Sequence, residues 1–249
     1  MTTADRPGRC YRGGPSDSGM GDWVLGDKLV HGDKVGTKVV YHQQQRRAEA
    51  SRTLLVLSAN PVDTNRLQLD REHRQIVEGV AAAQGLGRLD VRIADAVRIE
   101  DLQRRLLTFR PVALHFAGHG NPGGLALVAD SGRAQTVPAA AFAELIGIFA
   151  GELKCVFLNA CYSDDLARAI GALGMCVIGM RGPVLDHTAI QFAEAFYTGA
   201  AAGRCVEDAF ALGRSRLALE QINAHPPVLF AEPGAARNTY LVEPAGGVR

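Results

Sequence analysis

No uncharged apolar stretch in these 249 residues approaches the roughly 18 that a membrane-spanning helix needs, so no helical span is expected. The opening residues, Met1-Thr-Thr-Ala-Asp-Arg-Pro7, lack the basic-then-apolar layout of a secretion signal, and a cytoplasmic location is the expectation. An excess of either charge is missing too: 27 Lys and Arg stand against 26 Asp and Glu, which supplies no basic field for nucleic acid and no acidic field for a basic partner. Five cysteines (Cys10, Cys155, Cys161, Cys176 and Cys205) form no Cys-x-x-Cys pair, and their number is odd. That pattern argues against a thiolate zinc site and against a disulfide framework, so the thiols are expected to be reduced. No metal or cofactor is expected.

What is present is core material. Hydrophobic residues make up 47% of the chain and charged residues 21%, enough to bury one sizeable core. Residues 1–50 differ from the rest, being rich in Gly, Asp, Lys and Gln, and a boundary near Ser51 separates this arm from a domain over 51–249. The arm carries an imperfect repeat: Gly21-Asp-Trp-Val24, Gly26-Asp-Lys-Leu29, Gly32-Asp-Lys-Val35 and Gly36-Thr-Lys-Val39. Either these units stack as short strands against a partner or another copy, or the arm is a disordered tail of low hydrophobicity.

From Thr53 onward strands and amphipathic helices alternate. Thr53–Ser58, Leu89–Ala94, Pro111–Ala117, Lys154–Asn159 and Met175–Gly179 read as short buried strands. Between them, Leu69, Ile76, Val80 and Ala83 fall on one helical face, and helices are expected over Ile99–Phe109, from Pro138 to Phe149, and over Asp164–Leu173. A small hairpin is expected around Leu125–Ala129 and the Asp130-Ser-Gly132 turn. Helices Thr188–Ala201 and Val206–Gln221 follow, with Val228–Phe230 and Thr239–Val242 as late strand candidates. The alternation predicts an α/β fold: a mostly parallel sheet with helices on both faces, behind a Gly-rich N-terminal arm.

Two of the apolar runs end in reactive side chains. Val112–Ala117 leads into Gly118-His119-Gly120, and Cys155–Ala160 leads into Cys161. In open α/β sheets chemistry gathers just beyond the carboxyl ends of strands, so an imidazole and a thiol placed there can meet. Ser163 is positioned to cap the helix after Cys161, whose N-terminal partial charge favours a thiolate, while Asp164 and Asp165 oppose it. Flanking glycines leave the His119 ring unhindered as a general base. His115 reads as a core histidine with a satisfied hydrogen bond, and neither His187 nor His225 has a second catalytic signal beside it.

Three patterns mislead here. Gly118–Gly123 spells G-x-G-x-x-G after a strand, yet Pro122 interrupts it and an apolar run follows where a helix should. The loop has no Lys-Ser/Thr pair to cradle a phosphate. His115 and His119 share a zinc-pair spacing, but Phe116 stands where the acid belongs.

His115-Phe-Ala-Gly-His-Gly120, Phe157-Leu-Asn-Ala-Cys-Tyr-Ser163, Val177–Gly182 with Asp186, Phe192–Tyr197 followed by Gly203–Gly213, and the opening Ser58-Ala-Asn-Pro61 with Leu69-Asp70 and Glu72 resemble the CHAT domain. That family is a bacterial branch of the caspase and separase clan of cysteine peptidases, and the resemblance spans roughly residues 53–222. It implies a three-layer caspase-like fold and a His–Cys dyad, with His119 as base and Cys161 as nucleophile. It also implies an oxyanion hole from the backbone amides of Gly120 and Cys161. Asp186 either lines a pocket selecting a basic side chain before the cut or is a helix N-cap or first-turn acid. The expected function is a cysteine endopeptidase acting on a protein substrate, a regulated effector in bacterial signalling or defence with an activating partner docked on the arm, and self-association open. The competing readings are a catalytically silent interaction module that assembles through the repeats, and a nucleotide-binding domain resting only on the interrupted glycine pattern.

Overall fold

The computed structural model describes residues 52–83, 89–222 and 227–243. The Gly-Asp-Lys repeats, the Ser51 boundary, Cys10 and His225 lie outside the described residues. Nine strands and seven helices are described, and six of the strands form one sheet in the order β2-β1-β3-β7-β8-β9.

The chain enters through β1 (Arg52–Ala59), crosses by α1 (Leu69–Ala83) to β2 (Leu89–Ala94), then returns by α2 (Ile99–Phe109) to β3 (Ala113–Gly118) on the other side of β1. This reversal makes the carboxyl ends of β1 and β3 a topological switch point, where the connecting loops diverge and leave a crevice. Next come β4 (Gly120–Asn121), β5 (Gly124–Val128) and β6 (Ala134–Pro138), which form a separate antiparallel three-stranded sheet. The expected hairpin is therefore present, and Gly120-Asn121 extends it by a third strand. Pro138 closes β6 immediately before α3 (Ala139–Ile148).

Strand β7 (Cys155–Asn159) pairs parallel with β3, so that His115 stands opposite Phe157. Helix α4 (Asp164–Gly171), β8 (Cys176–Met180), α5 (Asp186–Ala201), α6 (Val206–Leu219), β9 (Pro227–Phe230) and α7 (Ala235–Asn238) complete the chain. The sheet is parallel except for β9, which pairs antiparallel with β8. The second late strand does not form: Tyr240 makes a single bridge to Cys205, and the Arg52 guanidinium takes its carbonyl at 3.0 Å.

Alternation along β1 shows how the layers are built. Leu54 and Val56 pack into the core under α1, α5 and α6, whereas Leu55 and Leu57 face the core under α2, α3 and α4. Both faces are covered, so the central strands read as unbroken apolar runs rather than alternating ones. Ile76 and Val80 of α1 are fully buried, each such side chain being worth about 1.5–3 kcal/mol.

One buried polar cluster joins β3 to α1 and α5. His115 on β3 is completely buried, with Nε2 3.0 Å from Glu72 Oε1 on α1 and Nδ1 3.2 Å from the Tyr197 hydroxyl on α5. Asn159 Nδ2 donates to the same Glu72 oxygen at 2.6 Å. Burial holds the Tyr197 phenol well above its usual range, so it remains a hydroxyl that donates to Nδ1 while Nε2–H donates to Glu72. Every polar atom of the ring is thus satisfied, as expected of a core histidine. Glu72→Ala leaves the buried His115 donor and the partly buried Asn159 donor without an acceptor and is expected to cost about 3 kcal/mol or more, whereas Glu72→Gln keeps an acceptor oxygen and costs less. Urea denaturation of the two variants checks the order.

Candidate active site

The crevice at the switch point is built from four loops. After β1, residues 60–68 run across the carboxyl edge of the sheet, and the Asn60 side chain closes this loop on itself: its Nδ2 donates to the Leu67 carbonyl and its Oδ1 accepts from the Leu67 amide, both at 3.3 Å. Asp63 accepts from the Ala134 amide at 2.7 Å, and Val62 N–H donates to the Gly132 carbonyl at 3.0 Å. The loop is therefore fixed at both ends before any ligand arrives.

His119 follows β3, and its Nε2 lies 2.7 Å from the Asn65 carbonyl of that loop. A carbonyl only accepts, so Nε2 carries a proton, and in the neutral ring the lone pair then falls on Nδ1. The imidazole is held in the tautomer a base requires.

Cys161 follows β7 and is partly exposed. Among the described cysteines it is alone in this, since Cys155, Cys176 and Cys205 are buried. Burial pushes the Cys155 thiol far up and raises that of Cys176, so neither is a ready thiolate. Immediately after Cys161 the backbone reverses at Tyr162, a non-glycine residue in the left-handed region with φ 55°. Such a conformation costs about 1–3 kcal/mol and persists where surrounding structure imposes it. Helix α4 begins two residues later, at Asp164.

Ser163 does not cap that helix. Its hydroxyl donates to the Leu158 carbonyl at 3.1 Å and accepts from the Met180 amide at 3.0 Å, tying the ends of β7 and β8 together. At 2% exposure it lies too deep among the strands to turn toward the first amides of α4.

His119 and Cys161 line one cleft, together with Glu72, Asn159, Asp186 and Ile190. The backbones beside them also touch. A Cβ added at Gly120 would stand 2.5 Å from the Cys161 carbonyl oxygen and 3.4 Å from its nitrogen, so glycine is what lets the two loops close against each other. This contact explains the second glycine of the misleading G-x-G-x-x-G pattern, and β4 stands where a dinucleotide fold would start a helix.

Asp186 is the first residue of α5, where its charge suits the helix start, and it also lines the cleft. Its Oδ2 accepts from the Gln68 amide at 2.9 Å, which joins α5 to the loop bearing Asn65. His187, next in sequence, is exposed and outside the lining of the cleft.

One contributor escapes sequence reasoning, and another, Glu72, enters it only as a residue of the family resemblance with no role attached. Asn65 acts through its backbone carbonyl, which leaves no side-chain signature. Glu72 does leave one, an acid three residues after Leu69 and four before Ile76 on the buried face of α1, and a charge in that stripe signals a paired polar site.

Among the described residues no helix is long and apolar enough to cross a membrane, and no group of three or more His, Cys, Asp or Glu could hold a metal ion. Comparison with known proteins places the CHAT domain over residues 35–231. No curated protein matches the chain. Among solved structures, the complex of Porphyromonas gingivalis RgpB pro- and mature domains is similar in fold, with a TM-score of 0.53 at 10% identity. The match covers 76% of this chain and 49% of that one, so this chain spans about half the length of the protein it matches. The shared fold is the caspase-like one, a mostly parallel six-stranded sheet between helical layers.

Proposed function

Because this chain belongs to the CHAT domain family and carries a caspase-like peptidase fold, we propose that it is a cysteine endopeptidase working through a dyad of His119 and Cys161. The observation that carries this reading is the cleft they share, at the carboxyl ends of adjacent strands β3 and β7. Nδ1 of His119 takes the thiol proton, and the sulfur attacks the carbonyl carbon of the scissile bond. The backbone amides of Gly120 and Cys161 receive the oxyanion. As the C–N bond breaks, the imidazolium returns its proton to the leaving nitrogen, leaving a thioester on Cys161 that water hydrolyses.

The side chain before the cut enters beside Asp186. Asp186 borders this space and is bound to one backbone amide, that of Gln68, which favours a basic side chain there. The chain would serve as a cytoplasmic effector in bacterial signalling or defence, engaging a regulatory protein through residues 1–50.

A peptide acyloxymethyl ketone ending in Arg tests the reading, since it alkylates only an activated thiol in a productive cleft. Labelling of Cys161 is expected, with Asp186→Asn slowing the Arg probe about 10- to 100-fold relative to a neutral probe, the worth of one charged hydrogen bond. Asn retains an oxygen for the Gln68 amide, so the loop stays tied. A sulfur that reacts with no such probe, purified or in cell lysate, overturns the proposal in favour of an interaction module.

A further inference from the structure

His119 borders two hollows. On one side is the cleft with Cys161; on the other is a larger open groove of about 680 Å³, lined by Asp63, Asn65, Asn121, Ala126 and Thr136. Cys161 does not line the groove, and His119 is the residue common to both linings. We infer that this groove receives the polypeptide on the leaving side of the scissile bond, held extended and carrying uncharged or small side chains. The inference rests on the peptidase reading of the same site.

The proton route sets the direction. In acyl transfer the imidazole that deprotonates the nucleophile must next protonate the departing nitrogen, so the departing chain lies on the imidazole's side. The acyl half remains with the sulfur, and the hollow beyond His119 is the one left for the amine half.

Chemistry selects the occupant. The one carboxylate in the groove, Asp63, is already engaged by the Ala134 amide at 2.7 Å and by Arg133 Nε at 3.2 Å. The side chains of Asn65 and Thr136, the Asn121 Nδ2 left over once its Oδ1 has taken the Gly123 amide, and the Thr64 hydroxyl as an acceptor offer hydrogen bonds without net charge, while Ala126 with Val62 supplies apolar surface. The volume falls within the range of formed ligand sites. Both β4 and β6 are edge strands of their small sheet, and an extended chain adds naturally to such an edge. The walls are fixed in advance by the bonds of Val62 to Gly132 and of Asp63 to Ala134, so little ordering is left to be done on binding.

Two measurements on the full chain test this. The first compares quenched peptides cut at the same bond with and without residues after the cut; trimming them is expected to lower kcat/KM at least about ten-fold, one good contact's worth. The second uses Thr136→Trp, an exposed position on β6 where a bulky side chain fills the groove without disturbing the core. It is expected to lower kcat/KM for the long peptide about ten-fold more than it lowers the rate of Cys161 alkylation by the ketone, which has no leaving-side residues. Equal rates for long and trimmed peptides, or equal effects of Thr136→Trp on cleavage and alkylation, overturn the groove while leaving the peptidase intact. A wild-type chain that is never alkylated overturns both.

Discussion

Cys161→Ala and His119→Ala are each expected to lower peptide cleavage by about 10,000-fold or more, with the double variant hardly worse than either alone. Near-equality is expected because the two groups of the proposed dyad act as one unit: without the imidazole the thiol would keep its proton, and without the sulfur the base would have nothing to activate. Neither change removes a buried contact of the core. Cys161 is partly exposed, and the ring of His119 is bound to the protein by one hydrogen bond, to the Asn65 carbonyl. Thermal melts close to that of the parent chain are therefore expected beside the loss of turnover of a quenched peptide. Full proteolysis by Cys161→Ala would move the reaction elsewhere in the chain.

Gly120→Ala is the second large effect, and it acts through backbone geometry. The added methyl would sit 2.5 Å from the Cys161 carbonyl oxygen and 3.0 Å from the Ala160 Cβ, so one of the two loops must shift. Cys161 is fixed from behind by β7 and by the reversal at Tyr162, which leaves the loop after β3 to move, carrying the Gly120 amide away from where the proposed oxyanion would form. A fall in kcat of about 100- to 1,000-fold with little change in KM is expected, the usual cost of a lost oxyanion donor. Overpacking adds about 1–3 kcal/mol of destabilisation, which denaturant titration measures separately. A variant that keeps full kcat would show that the Gly120 amide is not a donor in the reaction.

The layered fold was legible because buried parallel strands announce themselves as short apolar runs, as in Leu54–Leu57, Ala113–Ala117 and Cys155–Leu158. The cleft was legible through the same runs: both end in reactive side chains, and parallel neighbours in one sheet end at one rim. What stayed hidden depends on backbone atoms or on long-range partners. The Asn65 carbonyl has no residue type that marks it. Ser163 shows the opposite failure, a good capping residue by local pattern that is drawn inward by Leu158 and Met180, because burial of a hydroxyl demands partners wherever they are. Tyr240 likewise carries a strand's side chain, and Arg52, far away in sequence, takes the carbonyl a ladder would use.

The bond between Asp186 and the Gln68 amide ties the start of α5 to the 60–68 loop that bears Asn65. A ligand cation that drew this carboxylate toward itself would tug on that loop, and the loop holds the proton of the imidazole. Selectivity and reactivity would then hang from one tether, so that losing the acceptor for the Gln68 amide would loosen the hold on the imidazole as well as unmatch the incoming side chain.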